Sequence, residues 1–78
     1  MLHLLTNGQQ VFEVSIFNKA VRSLVKENRS HSYFDDYWAD TQVRDVIAKN
    51  ETEARRLVSE QFPPDDGFVI ESVSLIQV

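Results

Sequence analysis

Between Val11 and Phe17 the side chains alternate. Phe12, Val14 and Ile16 share one face of an extended segment, and Val11, Glu13, Ser15 and Phe17 share the other. Alternation with a half-polar second face predicts a strand over 10–17 that is covered on one side. Just upstream, Asn7 and Gly8 both tolerate the positive φ of a two-residue hairpin turn, so a short strand is expected at 2–5, pairing with the longer one. After Phe17 the period changes. Ala20, Val21, Leu24 and Val25 recur at helical spacing behind Asn18, whose side chain suits an N-cap, and a helix is expected over 19–27. Val21, Ser23 and Val25 also alternate, so a further strand is the competing reading.

Residues 28–40 read as a long connection. The string TQVRDVIA, with Val43, Val46 and Ile47, predicts the next strand. NETEARRLVSEQF is the clearest helix: Asn50 caps it, and Glu53 stands where a capping box needs an acid. Glu51 lies one turn before Arg55, and Ala54, Leu57, Val58 and Phe62 form an apolar stripe. Pro63-Pro64 ends the helix, Asp65-Asp66-Gly67 turns the chain, and FVIESVSLIQV forms the last strand. On strict alternation that strand carries Phe68 and Ile70 on one face but Val69, Val73 and Leu75 on the other. Apolar residues on both faces imply a central place in the sheet or a second face covered by another chain, which raises a homodimer. The expected architecture is a single α+β domain over 1–78, in the order β-β-α-β-α-β. Its sheet has three or four strands, antiparallel or mixed, with both helices on one face.

Composition narrows the class. A chain of 78 residues buries only about 60% of the surface its unfolded form exposes, and without cysteine no disulfide supplements that core. The opening MLHLLTNG lacks the basic region and long apolar run of a secretory signal, and no stretch approaches a membrane span, so a cytoplasmic protein is expected. The net charge of −4 is unevenly spread. Residues 1–34 carry four bases against two acids, and residues 35–78 carry ten acids against four bases.

The run VIAKNETEARRLV, followed by FPPDDGFVIESV, resembles a pattern found in short bacterial and phage-encoded α+β proteins. It is also similar to the strand–helix–strand half of small phage inhibitors of bacterial defence, the anti-CRISPR type. That likeness covers about residues 42–76. The segment FNKAVRSLVKENRSHSYFDDYWAD resembles part of an uncharacterised bacterial family, which implies no activity. Neither likeness carries functional residues over, and the first implies an inhibitor-type module of phage or prophage origin.

The chemistry concentrates in HSYFDDYWAD, residues 31–40. His31, Asp35, Asp36 and Asp40 are metal-ligand types, yet neither a calcium-loop glycine and glutamate nor zinc-finger spacing accompanies them. Ser30, His31 or Ser32 with an aspartate would have to form a triad within one local segment, whereas working triads converge from distant ones. No metal, cofactor or catalytic residue is therefore expected, and His31 reads as an exposed loop residue. Phe34 and Trp38, one helical turn apart, are expected to dip into the core. Asp35 or Asp36 would cap a short turn and Asp40 would bond backbone at the next strand. Tyr33 and Tyr37 would then face outward, rimmed by Asp35, Asp36 and Asp40. Such a surface suits a protein partner, because tyrosines bury large area at low entropic cost and the acids steer a basic partner. The rival is a nucleic-acid face on the first helix, formed by Lys19, Arg22, Lys26 and Arg29, against which the acidic balance weighs. The expected function is a non-enzymatic protein-binding module.

Overall fold

The alternating segment at 10–17 forms the axis of the molecule. In the computed structural model, which describes residues 8–76, β1 (Gln10–Asn18) runs directly into α1 (Lys19–Lys26). There follow β2 (Gln42–Ala48), α2 (Glu51–Gln61) and β3 (Phe68–Leu75), with short 3₁₀ turns at Asp36–Ala39 and Pro64–Asp66. The strands form one antiparallel sheet in the order β2-β1-β3, so the fold is α+β.

The strand expected at 2–5 lies outside the described residues. β1 pairs with β2 from Gln10 to Ile16 and with β3 from Phe12 to Asn18, and the Ile76 N–H bonds the Val11 carbonyl at 2.9 Å. Both edges of β1 are thus occupied by described strands. Among the described residues the sheet has three strands.

Of the two readings of the last strand, the central position is corrected: β3 is an edge among the described residues, and β1 is central. A bulge explains the misleading pattern. Ile16 lies opposite Ile70 and Val14 opposite Val73, so the register slips by one residue and leaves Glu71 as the extra one. The slip restores Phe68, Ile70, Val73 and Leu75 to a single face, the one that carries buried Phe12, Val14 and Ile16. Val69, opposite Phe17, stays on the other face.

On that face α2 lies across all three strands. Its buried Ala54 and Val58 join Phe12, Val14, Ile16, Ala48 and Phe68 in the core, and Leu57 and Phe62 pack against them. The reason is local. The Asn50 side chain accepts the Glu53 N–H at 2.8 Å, and Glu53 reaches back to the Lys49 N–H at 2.8 Å, one residue before the cap. Helix α1 packs chiefly against the 3₁₀ turn Asp36–Ala39 and touches β1 and β3 less. It closes in a Schellman motif, with the Arg29 N–H on the Leu24 carbonyl, the Asn28 N–H on the Val25 carbonyl, and Asn28 left-handed at φ 58°.

Asn18 makes the strand-to-helix junction sharp. Its Oδ1 accepts the Ala20 and Val21 N–H groups at 3.0 Å each, and its amide donates to the Asp66 carbonyl at 3.0 Å. These bonds let a fully buried polar side chain sit in the core without an orphan group. The Lys19 N–H bonds the Gly67 carbonyl at 2.8 Å, tying the same junction to the turn before β3. Gly67 has φ 98°, and a Cβ there would lie 2.7 Å from Asn18 Oδ1. Only glycine fits both conditions.

Both edges carry features that discourage further strands. On β2, Arg44 points to the core side opposite Val14, its guanidinium 5.3 Å from the Trp38 ring centre and 5.8 Å from that of Phe62. An inward charge on one edge and a bulge on the other both oppose pairing with a second sheet.

Candidate functional site

Residues 31–40 form two linked turns. In the first, His31 Nδ1 accepts the N–H groups of Tyr33 and Phe34 at 3.0 and 3.1 Å. The expectation of an exposed loop histidine is corrected: His31 is half-buried, because its imidazole serves as the acceptor that closes the turn. In the second turn Asp35 Oδ1 accepts the Tyr37 N–H at 2.9 Å and caps Asp36–Ala39, while Ser30 Oγ donates to Asp36 Oδ2 at 3.3 Å. The bonds expected of Asp40 come instead from Gln42, whose amide donates to the Tyr37 and Asp40 carbonyls.

Aromatic packing divides this segment into an inner and an outer set. Trp38 is 7% exposed and packs against Phe62 and Phe68, with ring centres 5.3 and 5.0 Å apart. Phe34 is half-buried and meets Phe68 edge-on at 5.1 Å. Tyr33 is 83% exposed and stands against Phe34 at 4.8 Å and 85°; Tyr37 is 45% exposed and leans on Trp38 at 5.0 Å. Each outward tyrosine is therefore backed by a ring that reaches the core. Such backing limits the rotamer freedom that binding would otherwise remove.

Two hollows flank Tyr33. The larger, about 750 Å³ and open to solvent, runs between the His31–Phe34 turn and the Pro64–Asp66 turn, with Lys19 at its side. The smaller, about 410 Å³, lies toward Ser30, Asp35 and Asp36. Of the five residues expected at a docking surface, the structure brings Tyr33, Asp35 and Asp36 to one hollow, and Tyr37 and Asp40 lie outside it. Asp65 and Asp66 belong to the site but read in the sequence only as a turn. Their approach to residues 31–34 depends on the Asn18–Asp66 bond, which local periodicity does not reveal.

The charges on this end are uncompensated. On α2, Glu51 pairs with Arg55 at 2.9 Å, and Arg56 pairs with Glu60 at 2.8 Å and Glu53 at 3.8 Å. Among the described residues, Asp35, Asp36, Asp40, Asp65 and Asp66 make no ion pair. All five are exposed. The described residues contain no group of three or more His, Asp or Glu side chains placed to hold a metal ion. Ser30 bonds Asp36 directly and His31 Nδ1 bonds backbone, so these residues do not form a Ser–His–Asp relay.

The basic face of α1 is not uniform. Arg22 is half-buried, its guanidinium 3.6 Å above the Phe17 ring centre and its Nε 2.7 Å from the Ala39 carbonyl, so it fastens the helix to the 3₁₀ turn. Lys19 lines the larger hollow, Arg29 pairs with Glu27 at 3.6 Å, and Lys26 is exposed. The sheet's open face presents Val43 and Ile47, each about half exposed, and sets Glu13 directly opposite Asp45 at its middle. No described helix is long and apolar enough to cross a membrane. Comparison with known protein families, curated proteins and solved structures finds no match.

Proposed function

We propose that the chain is a non-enzymatic protein-binding module, of the inhibitor type, whose docking surface is the double turn at 31–40. Tyr33 and Tyr37 are the anchors, and Asp35, Asp36 and Asp40 form an acidic rim that attracts a basic partner. One observation carries this reading: two exposed tyrosines rest on Phe34 and Trp38, rings fixed in the core, among carboxylates with no ion pair of their own. Aromatic anchors inside a polar rim are the arrangement in which a few residues supply most of the binding energy. The nucleic-acid alternative is weaker, because Arg22 is committed to Phe17 and Ala39 and the acidic turns adjoin Lys19.

Photo-crosslinking from positions 33 and 37 in a native host tests the proposal, with Ser59 on α2 as the control position. A product formed from 33 and 37, lost at high salt and not formed from 59, is the expected result. Equal labelling from all three positions, or none from 33 and 37, would overturn it.

A further inference from the structure

We infer that the docking surface recognises a dibasic segment, an extended stretch of the partner whose two arginine or lysine side chains straddle Tyr33. The inference rests on the protein-binding reading above and specifies its ligand. Tyr33 is a ridge common to both hollows. Each hollow is lined by Tyr33 and Phe34 and by a pair of carboxylates, Asp65 and Asp66 in one and Asp35 and Asp36 in the other. A cationic side chain in either hollow comes near aromatic rings and a pair of carboxylates together, and both attract it. The carboxylates have no ion pair among the described residues, so a partner's cation displaces no existing one. His31 Nδ1 accepts the backbone N–H groups of Tyr33 and Phe34, which fixes the backbone of the turn that carries the ridge. Among the described residues Lys19 is the one lysine or arginine lining either hollow, and it lines only the larger.

The test uses the full chain and fluorescein-labelled Gly–Ser peptides carrying two arginines at varied separation, one arginine, or two glutamates, read by anisotropy at low salt. The best dibasic spacing should bind about 3- to 10-fold more tightly than the monobasic peptide, as one more exposed ion pair with a ring contact allows. Asp65→Asn with Asp66→Asn, and separately Asp35→Asn with Asp36→Asn, should each reduce it to the monobasic level. The latter pair retains the Oδ1 acceptor that caps the turn. Lys19→Gln should tighten binding, whereas Lys26→Gln, an equal change of charge outside both hollows, should not. No preference for the dibasic peptide, no optimum of spacing, or equal effects of the two lysine changes would overturn the inference. Its failure is separable from failure of the docking reading. If Tyr33→Ala still weakens the crosslinked partner while the aspartate pairs do not matter, only the dibasic ligand is wrong. If Tyr33→Ala leaves that partner bound, the docking reading itself fails.

Discussion

Replacing Asn18 by Ala removes three hydrogen bonds at once and probes the junction that brings Asp65 and Asp66 beside the aromatic turn. Loss of the cap should cost about 0.5–2 kcal/mol. The Asp66 carbonyl loses its donor in a part-buried setting, which adds about 1–3 kcal/mol. A total near 3 kcal/mol is a large share of the stability of a domain this size, and should lower Tm by about 12–24 °C. Gly67→Ala attacks the same contact from the other side. It forces a Cβ to within 2.7 Å of Asn18 Oδ1 at φ 98°, combining left-handed strain of about 1–2 kcal/mol with steric overlap. With Asn18 already truncated the overlap with its amide disappears, and the strain and a tight 3.2 Å approach to Ala20 Cβ remain. Urea unfolding of the two single variants and the double, followed by the fluorescence of Trp38, closes the cycle. The double variant should be about 1–3 kcal/mol more stable than the sum of the singles predicts. Additivity within about 0.5 kcal/mol would refute the argument that these side chains meet.

Three further predictions concern other layers of the structure. Trp38→Ala should cost about 3–5 kcal/mol in thermal melts, while Tyr33→Ala should stay within about 0.5 kcal/mol of the parent; equal losses would erase the inner and outer sets. Asn28→Ala should cost about 1 kcal/mol because of the left-handed C-terminal residue of α1, and Asn28→Gly should cost nothing. A reversed order in chemical denaturation would contradict the Schellman motif. Light scattering should report the 9.0 kDa mass of one chain, since Glu13 and Asp45 at the middle of the open face repel a second copy. Twice that mass would place a partner chain on the face bearing Val43 and Ile47.

Local rules made most of the elements legible. Asn18 and Asn50 mark both helix starts, and both accept the backbone N–H groups their types predict. Alternation identified the buried face of β1, and one-turn spacing placed Phe34 and Trp38 inward with Tyr33 and Tyr37 outward. What sequence pattern does not encode is pairing between distant segments. β1 lies between β2 and β3, and no local feature announces that order. The bulge at Glu71 follows the same logic: a one-residue slip is visible only against its partner strand. His31 looked exposed because a histidine that closes its own turn has no distinct spacing. Asp65 and Asp66 were hidden as site residues for a different reason, since they reach the aromatic turn through the buried amide of Asn18.

The most direct test of the central claim is calorimetric titration of the crosslinked partner with the parent chain and with the double variant Tyr33→Ala/Tyr37→Ala, each checked by a thermal melt. The account predicts a loss of about 2 kcal/mol or more in binding, roughly 30-fold in Kd, with the melting temperature of the variant close to that of the parent. Unchanged affinity, or a variant that no longer folds, would contradict it.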